Sequence, residues 1–326
     1  MASLIVIGAA YRTAAVVLIL FFLALVFLTW RVPVSREEFG TPEKTQFWGS
    51  TPRKSAILAI LVLSSPENRD RRDAIRKTWL NFVNNDDAFV YFVVGTRGLS
   101  NMSSLELESS EYGDLIRLVD HVDSYDTLAS KVLMSFLWLS ENVKFAFVFK
   151  VDDDTFARVE VIIKELRHRS NTKPLYWGFF DGRARIKQKG RWAERQWILC
   201  DRYLPHARGG GYVLSASLVD HIVRGKDLLQ RFNSEDVSVG AWLAPLDIER
   251  LHDPRFDTEH VSRGCSDAYV VTHKQDVTAM FAKYDNIMNT GRLCGIDGQF
   301  KKRNSYVYNW SVLPSSCCVR NDSSVP

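Results

Sequence analysis

The chain has 326 residues, with 42 lysines and arginines against 38 aspartates and glutamates, a formal net charge of +4. So mild an excess of base does not mark a nucleic-acid partner. No internal repeat or low-complexity tract is present, which excludes solenoid and linker-like architectures.

The N-terminal stretch is a different material from the rest. An uncharged apolar run from Thr13 to Trp30 would be about 27 Å long as a helix, enough for a thin bilayer. A cleaved signal peptide has a shorter apolar core and ends in small residues, whereas this run ends Leu28-Thr29-Trp30-Arg31. Residues 13–30 are therefore expected to be a transmembrane signal anchor behind a tail, 1–12. Arg12 on one side and Arg31 and Arg36 on the other leave its orientation open by the flanking charges. Residues 31–54, with Pro33, Pro42 and Pro52 and no apolar period, read as a stem. Residues 55–326 read as one α/β domain.

All three glycosylation sequons, at Asn101, Asn309 and Asn321, lie beyond the apolar run, as expected if that side enters the secretory lumen. So do all five cysteines, Cys200, Cys265, Cys294, Cys317 and Cys318. An odd number leaves one unpaired or intermolecular, and no spacing fits a zinc site.

Ala56 to Leu63 reads as a buried strand, Arg69 to Phe82 as a polar helix, and Ala88 to Val94 and Leu115 to Val119 as further strands. Thr127 to Leu139 carries a helical apolar stripe at 128, 132, 133, 136, 137 and 139. A strand from Phe145 to Val151 then runs into Asp152, Asp153 and Asp154, and a helix is expected from about Arg158 to His168. Strands alternating with helices predict a largely parallel sheet, with ligands at its carboxyl ends. Three carboxylates there suit a hard divalent cation, or a solvated turn with Asp154 capping a helix near Thr155.

Farther on, Gly209-Gly210-Gly211 lacks the Gly-Lys-Ser/Thr ending of a phosphate loop. The glycines offer close backbone approach to a ligand, or a turn before a helix near Ser215. Asn233-Ser234-Glu235-Asp236 reads as the start of a helix through Leu243.

Five blocks in order carry a family pattern: Ile75 to Trp79, Tyr91 to Gly95, Lys150 to Asp154, Tyr203 to Ser215, and Glu235 to Gly240. In these the chain resembles the β1,3-glycosyltransferases of the animal secretory pathway. Gly240 to Pro245, His252 to Glu259, Ser262 to Cys265, Val271 to Gln275, Ser305 to Tyr308 and Cys317-Cys318 look most like its proteoglycan-linker β1,3-galactosyltransferases. The resemblance implies a GT-A fold, UDP-galactose as donor, Mn²⁺ as cofactor and a galactose-β1,4-xylose unit on a core protein as acceptor. It also implies a single-pass type II Golgi membrane protein working beside other linker-region transferases. Two stretches depart from the pattern: Thr127 and Ala129 replace polar groups before Lys131, and His206 stands where tyrosine is common. A β1,3-N-acetylglucosaminyltransferase, or a non-catalytic chaperone or lectin on the same scaffold, is the alternative.

On this pattern Asp154 is expected as a direct metal ligand, with Asp152 and His273 as further ligands. Asp152 and Asp153 are expected near the donor ribose, and Arg72 and Arg76, four apart on a helix, suit either its diphosphate or surface ion pairs. Asp236 is the expected general base, Glu235, Gly210 and Gly211 are expected to border the sugars, and Trp177 either borders them or, as is commoner for tryptophan, sits in the core. The basic run Arg183, Arg185, Lys187, Lys189 and Arg191 reads as a solvated edge or as a holder of acidic acceptors.

Overall fold

The computed structural model describes residues 55–318 apart from 85, 170, 171, 198, 296 and 297. The expected anchor, the stem and Asn321 lie outside these residues. Among the described residues no helix is long and apolar enough to cross a membrane.

In chain order the elements are β1 (Ser55–Leu63), α1 (Arg69–Lys77), β2 (Ala88–Gly95), α2 (Ser103–Tyr112), β3 (Leu115–Leu118), α3 (Leu128–Asn142), β4 (Lys144–Asp152), β5 (Phe156–Ala157), α4 (Val159–Arg167) and β6 (Leu175–Asp181). They continue with β7 (His206–Ser215), α5 (Ala216–Arg224), α6 (Glu235–Leu243), β8 (Glu249–His252), β9 (Phe256–Asp257), β10 (Gly264–Cys265), β11 (Val271–Thr272), α7 (Val277–Thr290) and β12 (Phe300–Lys301). The main sheet runs β3-β2-β1-β4-β7-β6-β8. β1 pairs in parallel with both β2 and β4, and β2 with β3, while β7 is antiparallel to β4 and β6. This is the mostly parallel α/β sheet expected of a GT-A enzyme.

The continuous apolar sequence of β1 follows from its place between two strands. Leu58 to Val62 are fully buried, which requires side chains without charge on both faces. From β1 the chain winds first towards β2 and later returns to β4 on the other side, so the crevice beyond the carboxyl ends of β1 and β4 is a topological switch point. The register puts Leu63 beside Asp152 there, delivering Ser64 and the aspartates to one place.

Two expectations change. The polar helix expected from Arg69 to Phe82 ends at Lys77, and a 3₁₀ turn follows from Trp79 to Phe82. Trp79 is fully buried and donates its indole N–H to the Thr155 carbonyl at 3.1 Å, a contact that draws the chain off the helical path. Gly209 to Gly211 form no turn but the middle of β7, with Gly211 opposite Val151.

Cys265 is bonded to Cys294 and Cys317 to its neighbour Cys318, while Cys200 is free and exposed. Asn101 and Asn309 are both exposed.

Candidate active site

The three aspartates leave β4 in different directions. Asp153 turns inward and is buried, accepting hydrogen bonds from Ser64 Oγ and Asn68 Nδ2, both at 2.8 Å, and from the Arg71 guanidinium at 2.9 Å. Burial pushes its carboxyl pKa up even so. It ties β4 to β1 and α1.

Asp152 and Asp154 turn to the crevice and meet His273. A small sheet, β5-β11-β9, makes the encounter: Thr272 pairs with Phe156, so His273 follows directly beside the aspartates. His273 Nε2 lies 2.8 Å from Asp154 Oδ1 and 3.5 Å from Asp152 Oδ2. One ligand atom from each of the three residues falls within 4.8 Å of the others. Burial works against the charge on Asp154, but His273 and Lys274 prevail and hold its carboxyl pKa down to about 2. Two carboxylates and an imidazole, brought together by separate parts of the chain, fit a divalent cation.

Gly210 lets the imidazole sit where it does. A Cβ there would stand 2.6 Å from the His273 ring, too close for any L side chain. A Cβ on Gly211 would meet Val271 at 3.1 Å and Phe149 at 3.2 Å, so Gly211 serves core packing rather than substrate. Both glycines permit close approach of protein groups, and Gly210 also borders the cavity at the cluster.

Opposite the cluster, α6 begins after Ser234 and carries Glu235 and Asp236 in its first turn. The two carboxylates diverge. Glu235 is buried, accepts from the Tyr212 hydroxyl and pairs with Lys150 Nζ at 3.1 Å. Lys150, itself buried, also donates to Asp152 at 2.8 Å and to the Gly209 carbonyl at 2.6 Å. Burial drives the Glu235 pKa up, Lys150 opposes it, and Asp236 and Asp152 add to the rise, leaving it at about 7. For Lys150, burial acts against the charge, but Asp152 and Glu235 outweigh it and its pKa is raised. One cation among three acidic groups stays charged, and the most enclosed carboxylate gives way. Asp236 accepts the Gly209 N–H at 3.0 Å and the Val237 N–H at 2.9 Å.

Asp152, His273, Asp236, Glu235, Gly209 and Gly210 line one cavity of about 340 Å³. Tyr125, Lys187, Trp192, His206, Arg208, His260 and Lys274 line it too. A second cavity of about 590 Å³, bordered by Arg255, Tyr269, Lys301 and Tyr306, shares none of these residues.

For Arg72, Arg76 and Trp177 the structure takes the other alternative, ion pairing for the arginines and core packing for the tryptophan, with Arg72 buried rather than on the surface. Arg72 is buried, with Nε and Nη2 on the two oxygens of Glu108 and Nη1 on Ser64 and the Ser65 carbonyl. Arg76 is held by Asp114, Glu108 and Asp73. Their guanidinium groups are engaged by protein, leaving Arg71 as the arginine beside the aspartates. Trp177 is a core residue, fully buried, with its N–H on Asp253 at 3.0 Å and its ring against Phe256. In the basic run, all five side chains belong to exposed residues, yet Lys187 alone among them lines the cavity. Arg183 donates to the Cys318 carbonyl, and Arg191 lies over the Tyr125 ring at 4.7 Å.

Sequence reasoning passed over Lys150, Lys274 and Trp192. For Lys150 a signal existed, since a lone charge inside the apolar run Phe145 to Val151 has to find partners at the strand end.

The galactosyltransferase family profile matches residues 70–254, from α1 to just beyond β8. The chain belongs to the galactosyltransferase family. This galactosyltransferase is 49% identical over 278 residues to Beta-1,3-galactosyltransferase 6 of Mus musculus, spanning 83% of this chain and 85% of that protein. It is 31% identical over 251 residues to Beta-1,3-galactosyltransferase GALT1 of Arabidopsis thaliana, spanning 72% of this chain and 38% of that one. A UDP-GalNAc:beta-1,3-N-acetylgalactosaminyltransferase 2 of Danio rerio is 32% identical over 151 residues, 46% of this chain and 30% of that protein. The chain is thus a glycosyltransferase, and its relatives use more than one sugar.

Proposed function

We propose that this galactosyltransferase transfers galactose from UDP-galactose, in β1,3 linkage, to the galactose-β1,4-xylose unit of the proteoglycan linker region in glycosaminoglycan synthesis. The observation that carries the reading is the 49% identity, over 83% of this chain, to the mouse β1,3-galactosyltransferase. The cavity supports it, because Asp152 and His273 of the candidate cation cluster and the Asp236 carboxylate line the same space.

UDP-galactose is an α-glycoside and the product linkage is β, so the reaction is a single inverting displacement. A cation such as Mn²⁺, held by Asp152, Asp154 and His273, would supply Lewis-acid stabilisation of the leaving diphosphate. Asp236 takes the proton of the attacking hydroxyl. Two backbone N–H groups fix its carboxylate, and a carboxylate has lone pairs left for the hydroxyl. Glu235 is unsuited to that role, since Lys150 and Tyr212 already engage it. Its part is to position: through Lys150 it links the start of α6 to Asp152.

The reading keeps the enzyme in the Golgi membrane as a single-pass type II protein, with galactosyl-xylosyl core proteins and other linker-region transferases as partners. The apolar run at 13–30 and the sequons beyond it support this.

The test is transfer by the detergent-solubilised full chain from UDP-galactose to a galactosyl-xyloside, with and without Mn²⁺, beside Asp236→Asn. We expect a metal-dependent β1,3 product, and a loss of about 10²- to 10⁴-fold in kcat for the variant. Turnover on a different β-linked sugar alone would overturn the acceptor assignment.

A further inference from the structure

Lys274 is the one non-glycine residue with a left-handed backbone among those described, at φ 62°. Such a conformation is unfavourable for an L-residue and persists where the surroundings enforce it. Here both neighbours are tied down. The His273 N–H donates to the Asp257 carbonyl at 3.0 Å, and the Gln275 N–H donates to the carbonyl of Asp154 at 2.8 Å. The chain has one residue in which to turn between these anchors, and that residue aims an ammonium group at the carboxylate cluster. Lys274 Nζ lies 3.3 Å from Asp154 Oδ2 and 3.2 Å from His273 Nε2. Its side chain is 46% exposed and lines the cavity shared with Asp236.

We propose that Lys274 is a tethered counter-cation of the Asp152–Asp154–His273 cluster. It neutralises Asp154 in the resting enzyme and swings to the diphosphate of the sugar nucleotide when a divalent cation binds. The inference rests on the reading of this cavity as the UDP-galactose site. The physical case is one of crowding. An ammonium and a divalent ion both touching Asp154 would stand within a few ångströms of each other, where like charges repel strongly. The repulsion favours release of the lysine, which is half-exposed and held by one carboxylate oxygen. The half-exposed lysine stem can rotate without disturbing the core, while its backbone stays clamped. The nearest new partner is the anion that arrives with the metal, whose leaving oxygen gains charge as the glycosidic bond breaks.

This predicts opposite effects on two equilibria. In Lys274→Met, full chain in detergent, Mn²⁺ affinity without nucleotide, read by electron paramagnetic resonance, should tighten about 3- to 10-fold, since the competitor is gone. UDP affinity at saturating Mn²⁺, read by calorimetry, should weaken about 10-fold. Lys274→Arg should keep both near the parent values. If both affinities change in the same direction, or neither changes, the proposal is overturned. Asp154→Ala serves as the control for the cluster. If the parent chain and Asp154→Ala bind Mn²⁺ equally, the cluster is not the metal site and the proposal falls with it. If the parent binds and Asp154→Ala does not, the cluster stands and the lysine variants decide about Lys274.

Discussion

Two groups of buried charge flank the carboxyl ends of β1 and β4, and they are built differently. Around Arg72, Glu108 and Arg76 the network is closed: Arg72 spends its donors on Glu108, Ser64 and the Ser65 carbonyl, and Arg76 on Asp114, Glu108 and Asp73. Around Lys150 the network is open. The lysine is satisfied by Asp152, Glu235 and the Gly209 carbonyl, but Asp152 and the adjoining Asp236 continue into a cavity. Charge and burial are shared by both. What separates the structural network from the one proposed to be catalytic is whether the acceptor capacity is used up inside the protein.

The contrast can be broken by experiment. The largest effect is expected at the open end. Asp154→Ala should reduce Mn²⁺-dependent kcat by about 10³-fold or more, with the melting temperature little changed. A variant as active as the parent would remove Asp154 from the metal site. In the closed network Glu108→Gln should do the reverse. Arg72 would be left buried without its counter-charge, at a cost of about 3–5 kcal/mol in unfolding free energy, while turnover per folded molecule holds. Lost turnover with unchanged stability would mean that Arg72 does serve the donor.

The smallest effect should come from Glu235, which joins the two ends of the open network. Burial, together with the nearby acidic groups, lifts its pKa from the usual 4.5 to about 7. Between those values the folded protein holds a proton that the unfolded chain has released. Its contribution to stability is therefore complete below about pH 4.5 and is lost as pH rises through about 7. Glu235→Gln should flatten that part of the curve of melting temperature against pH in metal-free protein. An unaltered slope would mean that Glu235 titrates elsewhere.

Much of this was legible in the sequence, for reasons that differ along the chain. The strands before Asp152 are long apolar runs whose period and length declare them, and carboxylates after a buried strand have few structural uses. Beyond residue 200 the signals fade. β7 is built around three glycines and reads as a turn, because the partners that demand glycine, His273, Val271 and Phe149, lie far away in sequence. β5, β9 and β11 are two residues long, too short for any period, yet their pairing brings His273 to Asp154. The resemblance to a family, not the pattern of residues, pointed to His273 and Asp236. Arg72 and Arg76 stayed open between diphosphate and ion pairs, because helical spacing shows that two side chains share a face, not what faces them. Trp177 stayed open in the same way, since its partner Asp253 is set by the fold.

The antiparallel placement of β7 also bears on how the protein is made. β4 is paired on one side with β1 and on the other with β7, and about fifty residues separate the end of one from the start of the other. At about 5–20 residues per second, a ribosome takes roughly 3–10 s to supply them. If β1 and β4 pair before β7 is made, the apolar sequence Phe147, Val148 and Phe149 would for that interval form the uncovered rim of a half-built sheet. A nascent chain stalled in this window is the species that folding helpers would have to shield.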